Sequence, residues 1–110
     1  MIFVIHTGHR IPFDAALTAH GVKYYEVNDL LGYSDVQSIA GMIAYLTLLA
    51  EDRGLGTCWL TNLLVAQKDL HAVLELKTGE KIIAAVALGK PAEFPIPKPR
   101  KAIDELIDWR

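Results

Sequence analysis

The first half of the chain contains one strand pattern and one long helix pattern. The opening run MIFVI (1–5) is apolar throughout and rich in β-branched and aromatic residues, as expected of a buried strand. From Asp35 to Arg53 the apolar residues recur at helical spacing. Gly54 follows where a left-handed cap commonly ends a helix, so we predict a helix over 35–53.

The second half alternates between strand and helix patterns. TCWL (57–60) predicts a short strand, and helical spacing from Val65 to Leu76 predicts a second helix. KTGEK (77–81) predicts a turn, and IIAAVALG (82–89) is a continuous apolar run typical of a buried strand. Together these patterns predict an α+β fold, with a sheet flanked by helices, in a single domain over residues 1–110.

Three shorter patterns lie between the first strand and the long helix. Residues Asp14 to His20 predict a short helix that ends at Gly21. VKYYEV (22–27) predicts a second short strand, because its residues are β-branched and aromatic. Ser34 and Gln37 have the spacing of a capping box, which predicts the start of the long helix.

The predicted long helix is apolar on more than one face, which indicates a subunit interface. A helix of this kind must be covered on most of its sides, and 110 residues provide little material to do so. The hydrophobic share of 52% is also high for so short a chain. We therefore expect a homodimer through the Asp35 to Arg53 helix, which Ile43→Asp should dissociate or unfold. The apolar residues are Val36, Ile39, Ala40, Met42, Ile43, Tyr45, Leu46, Leu48 and Leu49.

Charge and composition exclude several kinds of partner. Lysine and arginine total 11 against 13 acidic residues, so the net charge of −2 would not attract nucleic acid. The longest apolar stretch, Ile39 to Ala50, is too short to span a bilayer. The single cysteine cannot form an intrachain disulfide, and no leader pattern precedes the first strand, so we expect a cytoplasmic protein.

Few side chains have the spacing of known catalytic or metal sites. His6 and His9 could share a metal only if the backbone left the strand between them, and no Cys, Asp or Glu cluster supports such a site. Cys58 has no base nearby in sequence, so we interpret it as a structural thiol in a buried strand. His20 and His71 are interpreted as surface or cap residues. No nucleophile elbow, Walker loop or dinucleotide fingerprint is present.

Residues 90–110 have the composition of an extended, proline-rich and basic arm. Prolines hold such a segment extended and keep it out of a central sheet. Pro97 and Pro99 place Lys98 and Arg100 on one rigid piece of chain, where the two cations suit a phosphate group. The alternative is a solvated basic tail. KAIDELIDW (101–109) predicts a last short helix.

Three segments together resemble the C-terminal half of the FMN-dependent nitroreductase family. They are SIAGMIAYLTLLAEDRGLGTCWL (38–60), KTGEKIIAAVALGKPAEFP (77–95) and KPRKAIDELIDW (98–109). The resemblance covers Ser34 to Trp109 and rests on the order and spacing of the motifs, since each motif alone is weak. Residues 1–33 match poorly, although MIFVI fits the strand that precedes the long helix in that family.

The resemblance implies a flavin site. In that family the strand after the glycine-rich turn ends beside the flavin, where a backbone amide faces the reactive nitrogen, and Leu60, Thr61 and Asn62 occupy this place here. Lys98 and Arg100 match a K-x-R pair that contacts the FMN phosphate in some members. Asn62 replaces a usual glycine, and its side chain could crowd a flavin. The arginine- and serine-rich N-terminal segment that grips FMN has no counterpart, which implies an N-terminally truncated domain.

Two functions follow as expectations. The first is a flavoprotein in which FMN takes electrons from NAD(P)H and passes them to a nitro compound, a quinone or a similar small-molecule acceptor, with no side chain acting as acid, base or nucleophile. The second is a truncated or degenerate relative that keeps the dimer core without flavin chemistry and acts as a binding or assembly module. A metal-dependent enzyme built on His6 and His9 is a third, weaker alternative.

Overall fold

A computed structural model describes residues 1–8 and 14–109 of the chain. It contains both helices and strands, so the α+β class is confirmed. The elements are strand β1 (Ile2–His6), helices α1 (Asp14–Ala19), α2 (Tyr24–Leu30) and α3 (Ser34–Asp52), strand β2 (Gly56–Leu60), a 3-10 helix (Asn62–Ala66), helix α4 (Gln67–Val73), strand β3 (Lys81–Gly89) and a last 3-10 turn (Ile103–Glu105).

The three strands form one antiparallel sheet in the order β1-β3-β2. The continuous apolar run of β3 suits this central position, because side chains on both of its faces are buried. Gly56 at the start of β2 pairs with Gly89 at the end of β3, and Leu60 pairs with Ala85. The β1–β3 register shifts between Val4 and Ile5, where β3 contains one extra residue.

Helix α3 packs on one face of this sheet and forms the core with it. Val4 of β1, Ile43 of α3, and Ala84 and Val86 of β3 are buried in one cluster. Ile43 has no exposed surface. This side chain therefore faces the sheet of its own chain, so the buried charge that we predict for Ile43→Asp would act on folding. Three further apolar residues pack around the cluster, namely Ile2, Ile39 and Leu46.

The C-terminus of α3 explains both glycines of the GLG turn. Gly54 has a φ of +68°, its N–H donates to the Glu51 carbonyl, and the Leu55 N–H donates to the Ala50 carbonyl. These two bonds define a Schellman motif, which confirms the predicted helix stop. Gly56 has a different role, because a Cβ atom there would lie 3.3 Å from the Pro91 Cβ. The first residues of the arm thus pass directly over β2.

The predicted capping box of Ser34 and Gln37 does not form at the start of α3. Tyr33, with a φ of 58°, is the N-cap residue, while Ser34 is already helical and makes no side-chain cap. The Gln37 side chain instead donates to the Gly32 carbonyl. The Tyr33 hydroxyl donates to Asp29 Oδ1 at 2.9 Å, and this bond to a carboxylate raises the pKa of Tyr33.

VKYYEV does not form a strand, and this prediction was wrong. Its last four residues begin α2, whose N-cap Lys23 donates its backbone N–H to Glu26 Oε2 at 3.1 Å. Because the glutamate satisfies an amide at the helix start, the local hydrogen bond favours the helix over the β propensity of the two tyrosines. Val27, on the same helix, is buried.

The remaining predicted elements agree with the structure in type and differ in extent. The predicted helix of residues 65–76 divides into the 3-10 helix Asn62–Ala66 and α4. The KTGEK turn is confirmed, with the Glu80 N–H donating to the Lys77 carbonyl at 3.1 Å. The predicted C-terminal helix is reduced to the single turn Ile103–Glu105.

Glu75 lies at a position suited to glycine, so Glu75→Gly should stabilise the chain. Its φ is +50°, and it follows α4 in a Schellman arrangement in which the Leu76 N–H donates to the His71 carbonyl at 3.1 Å. Glycine adopts this conformation without a Cβ clash, for a gain of about 1 kcal/mol, or roughly 4 °C in Tm by thermal denaturation. Glu75→Ala keeps the clash and serves as the control. An equal gain in both variants would contradict this explanation.

The chain exposes much more surface than a compact protein of its size. Its accessible surface is 9175 Å², whereas a compact monomer of this mass exposes about 6,100 Å². Its radius of gyration is 18.1 Å, against about 13 Å for a compact domain of this length. The exposed surface includes many large apolar side chains, a feature more typical of subunits than of monomers. Among the described helices, none is both long and apolar enough to cross a membrane.

Candidate functional site

The C-terminal end of β2 presents two exposed polar residues beside a buried sheet. Leu60 is half-buried and pairs with the buried Ala85, while Thr61 and Asn62 are exposed. The 3-10 helix begins at Asn62, and the first amides of such a helix, here those of Asn62 and Leu63, have no acceptor within it. These two amides could donate hydrogen bonds to a bound ligand with a planar ring rich in acceptor atoms at the end of β2.

Asn62 occupies this place without backbone strain. The described residues with positive φ outside glycine are Tyr33 and Glu75, so Asn62 has an ordinary negative φ. The glycine usual in the family is therefore not required here by backbone conformation. The carboxamide of Asn62 adds volume and hydrogen-bonding groups that glycine lacks at this site.

Lys98 and Arg100 lie on the extended arm, which has no regular secondary structure at these positions. Both side chains are exposed, and neither forms a hydrogen bond or ion pair with any residue that the structure describes. Two exposed cations on a proline-stiffened segment suit a phosphate group, because no described residue neutralises them.

Within one chain, the arm begins at the opposite end of β2 from Thr61. It leaves the sheet after Gly89, which pairs with Gly56 at the start of β2. Lys98 is nine positions after Gly89, a distance of about 30 Å when the chain is extended. The structure thus places the amide donors and the two cations on separate elements that diverge from opposite ends of the strand.

The histidines form no metal cluster among residues 1–8 and 14–109. His6 Nε2 lies 3.1 Å from Asp35 Oδ2, a contact between residues 29 positions apart that no sequence pattern indicated. His9 lies outside the described residues. His20 is exposed, and the half-buried His71 contacts the Glu80 carbonyl at 3.1 Å, where it connects α4 to the turn before β3.

Cys58 is exposed, so the prediction of a buried structural thiol was wrong. Its strand β2 lies at the edge of the described sheet and has β3 on one side only. Cys58 lines an open cleft of about 780 Å³ between the α3–β2 turn and the start of the arm, together with Glu51, Lys90 and Phe94. Within this cleft it has no neighbouring histidine that could act as its base.

The outer face of α3 exposes several large apolar side chains. Tyr45 is 73% exposed and Leu48 is 67% exposed, although both lie on the helix that also carries the buried Ile43. Met42 and Leu49 extend the same surface. We call these four side chains the α3 outer face. Sequence analysis predicted that such a face exists but did not identify which residues form it.

Comparisons with known proteins agree with the resemblance drawn from the sequence. The model of the nitroreductase family matches residues 33–90, which is 58 of 110 residues. A putative NAD(P)H nitroreductase, YfhC, from Bacillus subtilis (strain 168) is 30% identical over 69 residues, which are 63% of this chain and 36% of that protein. A crystal structure of a BluB-like flavoprotein from Clostridium difficile 630 matches with a TM-score of 0.75 at 26% identity, over 97% of this chain and 52% of that one. The chain thus spans about half or less of the length of these relatives.

Proposed function

Because the chain belongs to the nitroreductase family, we propose that it is part or all of an FMN-dependent oxidoreductase. It takes electrons from NAD(P)H and passes them to a nitro compound, a quinone or a similar small molecule. The observation that supports this proposal best is the exposed end of β2, where the 3-10 helix begins and the amides of Asn62 and Leu63 have no acceptor within it, inside the segment that matches the family. The two relatives named above are described as a putative NAD(P)H nitroreductase and a flavoprotein.

In this proposal the residues of the chain bind and orient the cofactor. Bound FMN supplies the hydride and electron chemistry. The amides of Asn62 and Leu63 donate hydrogen bonds to the flavin ring and favour electron density at the atoms that they contact. Lys98 and Arg100 neutralise the phosphate, whose charge would otherwise oppose binding. No side chain of the described residues needs to act as an acid, base or nucleophile.

We propose that two copies pair through the α3 outer face. The chain exposes about 3,000 Å² more than a compact monomer would, so two copies have about 6,000 Å² of excess surface, enough for even a large permanent dimer interface. Helix α3 already packs its inner face on the sheet, so a second copy is the simplest cover for the outer face. After its first residues the arm is exposed along its length, and we propose that this exposed part lies on the second copy. Its exposed apolar residues include Phe94, Ile96, Leu106 and Trp109.

One observation favours the second function, a dimeric binding or assembly module without flavin. The amide donors and the cations leave β2 at opposite ends, so a single chain does not bring the two parts of the predicted site together. If the arm does not reach the site of a second copy, the phosphate has no described partner. The flavin proposal therefore depends on the dimer proposal.

Anaerobic reduction tests the oxidoreductase function directly. FMN-loaded protein is mixed with NADH or NADPH, and the flavin absorbance is followed over time. We expect one of the two nucleotides to bleach the flavin, and a nitroaromatic compound or a quinone to restore the absorbance. Bound FMN that neither nucleotide reduces would contradict the proposed reaction and would leave FMN binding intact.

Removing the two arm cations should weaken FMN binding through the phosphate alone. We expect Lys98→Gln with Arg100→Gln to raise the Kd for FMN by roughly 100-fold, because two charge-assisted hydrogen bonds are lost. Riboflavin, which lacks the phosphate, should bind the variant and the unmodified protein equally. Fluorescence titration measures both ligands.

The neighbouring cation Lys101 provides a matched control, since it is exposed on the same arm but lies outside the K-P-R sequence. Lys101→Gln should leave the Kd for FMN within about twofold, as expected when an exposed charge contacts nothing. An equal loss in the Lys101 variant would show that the arm attracts the phosphate only through its overall charge. An unchanged Kd in the double variant would exclude both residues from the site.

A further inference from the structure

Gly41 lies inside helix α3 although nothing in the described part of its own chain requires a glycine there. Its φ lies outside the left-handed region, unlike that of Gly54. A Cβ atom added at Gly41 would meet nothing within 4 Å. Glycine is also unfavourable in a helix interior, because it loses more conformational freedom on folding than any other residue. Neither backbone conformation nor crowding therefore accounts for this residue.

Gly41 lies in the middle of the α3 outer face. Tyr45 follows it by four positions and Leu48 by seven, the spacing at which residues share one face of a helix. Ser38, Gly41, Met42 and Tyr45 are all exposed. Their spacing is that of the four residues that form a hole for one side chain of a facing helix. The missing side chain of Gly41 deepens this hole.

Tyr45 is the side chain that suits the hole, provided that it comes from a second copy. At 73% it is the most exposed of the large apolar side chains of α3. It stands at the rim of the hole in its own chain and cannot fill it. A second copy is the occupant that the exposed area supports, because the excess surface of two chains is sufficient for a permanent dimer interface.

Twofold symmetry limits how the two helices can run. If they ran parallel, each residue would face its own counterpart, so two glycines would leave a void and two tyrosines would crowd each other. If they run antiparallel and cross at the midpoint of Ser34–Asp52, which is position 43, Gly41 faces Tyr45 of the second copy. The same pair then forms again on the other side of the twofold axis. Large and small residues face each other in this arrangement, as close packing requires.

We infer that the two α3 helices cross antiparallel, and that Gly41 of each copy receives the Tyr45 ring of the other. This inference rests on the proposed pairing of two copies through the α3 outer face, and it adds what determines the register of that pairing. Because Gly41 has no side chain, the helix axes can approach to about 8 Å, the short end of the range for packed helices. A larger residue at this position would hold the two copies apart.

Exchanging the two residues tests the pairing. Gly41→Tyr places two rings in one hole and should raise the dimer Kd roughly 100-fold. Tyr45→Gly leaves the hole empty and should raise the Kd roughly tenfold. The variant with both changes has the same composition as the unmodified chain and rebuilds the pair in reverse, so its Kd should return to within about tenfold of the original value. Analytical ultracentrifugation measures each Kd, and circular dichroism checks the fold.

Lys68→Tyr is the control, because it adds the same ring to an exposed position of α4 and should leave the Kd unchanged. The inference would be overturned if Gly41→Tyr kept the original affinity, or if the losses of the two single variants multiplied in the double variant. In either case the pairing through the α3 outer face would stand as long as Leu48→Asp dissociates the dimer. A chain that is monomeric at every concentration would overturn both proposals.

Gly41→Ala tests the premise without depending on the exchange variants. In a Leu48→Asp background, where the copies are separated, the alanine gains only helix propensity and should raise the Tm by roughly 4 °C. A lower Tm would show that the chain itself requires the glycine, which would overturn the inference.

Discussion

Ile43→Asp is expected to unfold the chain rather than to separate two intact copies. Ile43 has no exposed surface and packs against Val4, Ala84 and Val86, where β1 and β3 meet α3. An aspartate there loses the apolar contacts and places a carboxylate in a site without a partner. We expect a loss of about 5 kcal/mol or more, which equals the whole stability of a marginal protein. Circular dichroism should show little helix and no cooperative thermal transition.

The matched control is Ala44→Asp, which introduces the same charge at the next position of α3, where the side chain is exposed. This variant should keep the helical signal and a cooperative transition. If Ile43→Asp instead gave a folded monomer, Ile43 would lie in an interface between copies, and the assignment of α3's inner face to its own sheet would be wrong.

Leu48→Asp is expected to have the second largest effect, on assembly instead of folding. Leu48 is 67% exposed and belongs to the α3 outer face. A twofold interface contains the substitution twice, and each carboxylate must lose water on association. We therefore expect the dimer Kd to rise at least 100-fold, or about 3 kcal/mol. Analytical ultracentrifugation over a range of concentrations measures this change, and circular dichroism checks that the fold is kept.

Lys68→Asp is the control for this variant, because Lys68 is an exposed residue of α4, outside the proposed interface. It should dissociate no more readily than the unmodified protein. A Leu48→Asp dimer of unchanged affinity would place the interface elsewhere. An unmodified chain that is monomeric at every concentration would overturn the dimer proposal itself.

The sequence predicted the elements whose signals are local and strong. The run of β3 is apolar on both faces because the strand is central, and α3 ends at Gly54 because a left-handed residue closes its Schellman motif. In both places the residue pattern and the tertiary structure favour the same conformation. The motifs that resemble the nitroreductase family lie in these same elements, α3 with its glycine turn and β3.

The wrong predictions concern residues whose conformation or burial depends on contacts that the local residue pattern does not contain. VKYYEV became part of a helix because Glu26 caps it, and the tyrosine pair alone favours a strand. Cys58 is exposed because β2 has a neighbour on one side only, and strand order cannot be read from one strand. His6 and Asp35 are brought together by the packing of α3 on the sheet. Helical spacing also could not indicate which face of α3 meets its own sheet.

As a member of the nitroreductase family, this chain is proposed to hold FMN. The most direct test is an absorbance spectrum of the purified protein after incubation with FMN and desalting, with the mass in solution measured on the same sample. We expect retained flavin at about one per chain in a dimer. A folded dimer that emerges colourless from desalting would contradict the flavin proposal and would favour a binding or assembly module.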